Sequence, residues 1–121
     1  MDVNKDFRER LLSFSVDTIK FLKTLPFRKE YDVLRYQLSK SATSIGANYE
    51  ESQSSTYKEF LQRIKIALRE TNETIYWLKI IEKLNIADNK INIKLKDEAI
   101  EISLILGSIA SKADKRMKSD K

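Results

Sequence analysis

The chain has no cysteine and no histidine, one proline and two glycines in 121 residues, and each scarcity closes off a class of answers. Without cysteine there are no disulfides and no thiolate chemistry, and nothing argues for an oxidising compartment. Without histidine the commonest general base and the commonest metal ligand are both missing, which leaves only carboxylate, lysine, tyrosine or hydroxyl chemistry. A β-rich fold needs turn residues about every ten positions, and three glycines and prolines cannot supply them, whereas long helices need almost none. No apolar run reaches the roughly 18 residues of a membrane span, and Met1–Asp6 has neither the basic start nor the apolar run of a signal peptide. The expectation is a soluble, cytoplasmic protein of one domain, residues 1–121, with no membrane partner and no cofactor or metal.

What is present is charge and periodicity. Charged residues make up 34% and hydrophobic ones 41%, the mixture of helices with one wet face. Lys and Arg outnumber Asp and Glu by 23 to 18, a net charge of +5 that mildly favours anionic partners.

Apolar positions Phe7, Leu11, Phe14, Thr18, Phe21 and Leu25 step by four and three, as one stripe of a helix does, and Pro26 ends the run. A second stripe runs through Tyr31, Leu34, Leu38, Ser41, Ile45, Asn48 and Ser52. Thr56 followed by Glu59 forms a capping box that starts a third, through Tyr57, Leu61, Ile64, Leu68, Thr71, Ile75 and Leu78. Asp88 can cap a fourth, through Leu95, Ala99, Ile102, Leu106, Ile109 and Ala113. The predicted helices are about 4–24, 30–53, 57–84 and 89–114, followed by a charged tail, 115–121. Short connections make successive helices antiparallel, so the expected fold is all-α, an up-down-up-down four-helix bundle.

Three helices carry a second apolar set: Leu12, Val16 and Ile19 on the first, Ile66, Trp77 and Ile80 on the third, Ile93, Ile100 and Leu104 on the fourth. A second face left in water is an aggregation hazard unless a partner covers it, so these nine are candidate contacts of a homo-oligomer. Wide stripes wrapping one core would read the same way. Gly46, mid-helix among Ser41, Ala42, Ser44 and Ala47, points to a close helix approach, since it costs about 1 kcal/mol against alanine.

The third helix also bears Lys58, Gln62, Lys65, Arg69, Asn72, Tyr76, Lys79 and Lys83 at the same spacing. Cations so placed can track phosphates and Tyr76 can stack on an unpaired base, although a plain solvated face shows similar charge. Carboxylates on the second and third helices could meet, but a di-iron bundle needs Glu-x-x-His pairs, and structural ion pairs are the simpler expectation. No glycine-rich phosphate loop or nucleophile elbow is present, and no catalytic residue is assigned.

The run Ser41-Ala42-Thr43-Ser44-Ile45-Gly46-Ala47-Asn48-Tyr49-Glu50-Glu51, followed by Phe60, Ile66-Ala67, Glu70, Glu73-Thr74 and Tyr76-Trp77-Leu78, resembles the bacterial four-helix bundle family of 23S rRNA intervening-sequence proteins. Related to that family is the accessory variability protein of diversity-generating retroelements, a basic partner of a reverse transcriptase that binds nucleic acid. The resemblance implies a homopentameric ring of bundles, and it places the family's recurring polar positions at Asn48, Glu51, Glu70 and Glu73 in structural roles. Where many members have Asn-Ile-Ala-Glu-Gly, this chain has Asn48-Tyr49-Glu50-Glu51-Ser52. The functional expectation is a non-enzymatic, oligomeric protein that binds RNA or DNA or serves as an accessory factor, with Lys58, Lys65, Arg69, Tyr76, Lys79 and Lys83 as contacts. The alternative is a scaffold that docks a partner protein.

Overall fold

The computed structural model describes residues 3–119 and contains four α-helices: α1, Val3–Leu22; α2, Asp32–Ser52; α3, Tyr57–Leu84; and α4, Asn89–Ser119. The expected stripe of α1 is buried throughout, from Phe7 to Leu25. The helix stops two residues before the expected end. There Thr24 closes the last turn, its amide donating to Phe21 O at 3.0 Å and its hydroxyl to the same oxygen at 2.6 Å. The chain then passes Pro26 and makes a 3₁₀ turn, Lys29–Tyr31, before α2.

The capping box forms at the start of α3: the Glu59 amide donates to Thr56 Oγ1 at 3.3 Å and the Thr56 amide to Glu59 Oε2 at 3.4 Å. Thr56→Ala should cost about 1 kcal/mol and lower the thermal midpoint by about 4 °C in a circular dichroism melt. Asn85 ends α3 in the left-handed region, φ 52°, which asparagine tolerates better than most side chains. Asp88 Oδ1 accepts the Lys90 amide at 2.9 Å, the cap expected for α4.

The inner face of α3 and the end of α4 also differ from expectation, for physical reasons. The buried seam of α3 is Leu61, Ile64, Ala67, Thr71, Thr74, Leu78 and Ile81, while Leu68 and Ile75 are half-buried and Tyr57 is exposed. A stripe alternating four and three assumes 3.5 residues per turn, and a straight helix of 3.6 drifts off it. Helix α4 continues to Ser119, so residues 115–119 of the expected tail are helical; 120–121 lie outside the described residues. No proline or glycine interrupts that last stretch, Ala110, Ala113 and Met117 keep the helical spacing, and the Arg116 guanidinium lies 4.6 Å from the centre of the Tyr57 ring.

The helices surround one core in the order α1, α2, α3, α4, with α1 and α4 closing the ring at its loosest seam. Asn4 meets Tyr49 across α1 and α2, Ser41 meets Thr74 across α2 and α3, and Lys65 meets Asp114 across α3 and α4, so neighbours run antiparallel. Gly46 sits against Leu11, where an added Cβ would lie 3.5 Å from that side chain: α1 and α2 do approach closely, yet an alanine would fit.

The α1–α4 seam is clamped rather than packed. Arg10 forks onto Glu98 at 2.8 and 2.6 Å and reaches Glu101 at 2.7 Å. The hydrogen bonds from Arg10 hold the Glu98 carboxyl below its ordinary range, and Glu98 in turn holds the guanidinium above its own. Among the described residues no helix is long and apolar enough to cross a membrane.

Candidate nucleic-acid interface on the third helix

The capping box fixes where α3 begins, and 28 helical residues then carry its pattern without a break. Lys58, Gln62, Lys65, Arg69, Asn72, Tyr76, Lys79 and Lys83 are all exposed, and they form one outer stripe about 38 Å long at 1.5 Å per residue. Lys65 Nζ pairs with Asp114 of α4 at 3.2 Å. Lys58, Arg69, Lys79 and Lys83 have no carboxylate at ion-pair distance among the described residues, although Arg69 still acts on the neighbouring Glu70 carboxyl. Tyr76 is 59% exposed in the middle of the stripe, its ring edge-on to Trp77 with centroids 5.4 Å apart.

One part of the basic surface was not legible as such. With 115–119 helical, Lys115, Arg116 and Lys118 are carried on a rigid helix end, and Arg116 is tied to the start of α3 through Tyr57. The signal was the continuing spacing of Ala110, Ala113 and Met117.

The four family-motif polar residues fall on the α2–α3 seam. Arg63 joins two of them, donating to Asn48 Oδ1 at 3.1 Å and pairing with Glu51 at 2.9 Å, while Asn48 Nδ2 donates to Ser44 O at 2.8 Å. Glu70 and Glu73 are half-buried one turn apart on α3. Burial first, and then the Glu73 charge, push the Glu70 carboxyl above its usual range against the pull of Arg69 and Lys40. A carboxyl whose folded value is raised adds stability while protonated and loses that contribution as pH rises through the folded value. Glu70→Gln should therefore raise the thermal midpoint at pH 7, with the gain vanishing near pH 4, where both states of the wild type are largely protonated. Among the described residues no group of three or more Asp and Glu is gathered as a metal site would require.

The nine candidate contacts of the second apolar face divide. Leu12, Val16, Ile19, Ile93, Ile100 and Leu104 are exposed, from 38% at Ile19 to 69% at Leu104. Ile66 is half-buried, and Trp77 and Ile80 pack against the core, as a wide stripe would. Leu12 also lies in a shallow groove over α1 and α2, floored by Ser15, Thr43, Gly46 and Ala47.

The family model described as 23S rRNA-intervening sequence protein matches residues 5–108, which span α1 to most of α4. Among solved structures, a protein of unknown function from the S23 ribosomal protein family of Bacteroides thetaiotaomicron is similar, with 31% identity and a TM-score of 0.78. The similarity covers 85% of this chain and 96% of that one. No curated protein matches. The resemblance read from Ser41–Glu51 and from the Glu70–Leu78 segment thus extends over the bundle, and the chain belongs to the family of 23S rRNA-intervening sequence proteins.

Proposed function

We propose that this protein is a non-enzymatic, oligomeric, cytoplasmic bundle that binds nucleic acid, or acts as an accessory to a process on it, through the outer face of α3. The observation that carries the reading is the row of Lys58, Arg69, Lys79 and Lys83, exposed and without carboxylate partners among the described residues. Rows of cations on ordinary solvated helices are commonly interleaved with acids that neutralise them; here the acids Glu70, Glu73 and Glu82 lie on the flanks toward α2 and α4. The absence of histidine and cysteine from the sequence supports a binding rather than a catalytic role. Self-association, with five subunits by the family resemblance, is supported by exposed Leu12, Val16 and Ile19.

The test is a salt titration of RNA and DNA binding. Four phosphate contacts on a single strand predict that affinity falls roughly fiftyfold between about 50 and 200 mM salt. Undetectable affinity at low salt, or affinity indifferent to salt, would remove the proposal. Light scattering tests the assembly: a monodisperse monomer would contradict it.

A further inference from the structure

We infer that the ligand of this face is a single-stranded polynucleotide, its backbone held along α3 and its bases lying across to α4; this rests on the nucleic-acid reading above. Two bridges set how α4 lies against α3: Lys65 to Asp114 at 3.2 Å and Glu82 to Lys96 at 2.7 Å. Helical spacing from Lys96 through Ile100, Ser103 and Gly107 to Asp114 keeps those residues on the flank of α4 beside the basic stripe. Together with Arg116 over Tyr57 and Asn92 Nδ2 donating to Leu78 O at 3.1 Å, the bridges put Tyr76 beside the stretch of α4 from Lys96 to Ser103.

Three features of this strip suit unpaired bases. Tyr76 is 59% exposed, and Ile100, on the flank of α4 beside the stripe, is 40% exposed. A duplex offers this face only phosphates and sugars, against which apolar side chains gain nothing, whereas every base has an apolar π-face. Gly107 is bald for no internal reason, since a Cβ there would meet nothing within 4 Å. A glycine inside a helix costs about 1 kcal/mol against alanine, and here it leaves open space on the same flank of α4 where an external group can come close.

Shape argues against a duplex as well. Helix α3 lies between α2 and α4 along its length, and two packed helices present a face about 20 Å across. The major groove is about 12 Å wide, so α3 cannot enter it as a recognition helix does.

The experiment measures fluorescence anisotropy of the full chain at low salt with 12-nucleotide single strands of RNA and DNA and with the matching duplexes. Single strands should bind at least tenfold more tightly than duplexes. Tyr76→Ala should weaken single-strand binding by about five- to a hundredfold and leave duplex binding unchanged, while Tyr76→Phe retains it. Gly107→Leu, whose Cβ would meet nothing within 4 Å, should weaken single-strand binding while the thermal midpoint stays level or rises, since glycine costs helix stability. Duplex binding as tight as single-strand binding, with Tyr76→Ala silent, would overturn the inference and leave the nucleic-acid reading standing. A change of subunit number on Tyr76→Ala, with single-strand binding no weaker, would overturn it in favour of a second copy of the chain on this face. Failure of every probe to bind at low salt would instead remove the nucleic-acid reading itself.

Discussion

The double variant Arg69→Glu/Lys79→Glu is expected to lose nucleic-acid affinity by about a hundredfold at low salt, with the dependence of log K on log salt shallower by about 1.5. Both side chains are exposed, and neither has a carboxylate at ion-pair distance among the described residues, so reversing them breaks no bridge of the fold. Exposed helix positions without such partners usually change stability by less than about 0.5 kcal/mol. A glutamate at 69 would stand beside Glu70 and Glu73, so a circular dichroism melt of the double variant accompanies the binding measurement to show that the fold is kept. Each cation that neutralises a phosphate on a single strand contributes about 0.7 to the salt slope, and reversal replaces that attraction with repulsion. The control is Lys20→Glu/Lys94→Glu, which removes the same charge from the α1–α4 groove. Equal losses from the two double variants would mean that net charge, and not the stripe, governs binding.

Ile102→Ala is expected to cost about 2–5 kcal/mol, enough to lower the thermal midpoint by about 8–20 °C. Ile102 is completely enclosed, in a core with Leu38, Ile64, Leu78 and Leu106 that are equally inaccessible. Removing three carbons leaves a void that neighbours fixed on four helices cannot fill by relaxation. Val16→Ala provides the contrast, because Val16 is 44% exposed on the far side of α1 from Phe14 and Thr18. In a single bundle it should change stability by less than about 0.5 kcal/mol; as part of an interface it should shift the subunit number seen by light scattering. The two substitutions separate a core face from a partner-facing one by experiment.

Local signals made most of the fold legible. Proline 26 and the Thr56–Glu59 box act within one turn, so they could be read from adjacent residues, and both mark helix ends where expected to within two residues. The stripe of α1 was readable because its bulky phenylalanines and leucines leave one choice of inner face. The inner face of α3 was harder: Leu68 and Ile75 compete with Ala67 and Thr74 for the core, and only packing against α2 selects the smaller pair. Trp77 and Ile80 went the other way, half-buried against a core that is wider at that level than a single stripe. The clamp of Arg10 on Glu98 joins residues 88 apart, and nothing local announces it.

The candidate site was legible in outline because it is carried by one helix. Regular geometry alone puts Lys58 to Lys83 on a line, whatever the other helices do. Its surroundings were not, because they depend on tertiary register: the bridges to Asp114 and Lys96, the open space at Gly107 and the helical end carrying Arg116 all involve α4 against α3.

The most direct test of the claim that α3 holds the ligand is lysine footprinting of the full chain with and without a single-stranded RNA, read by mass spectrometry after brief acetylation. Lys58, Lys65, Lys79 and Lys83 should be protected by the RNA while Lys20 and Lys94 react as before. Protection of Lys20 and Lys94 with the α3 lysines fully reactive would place the ligand on another face and contradict the account.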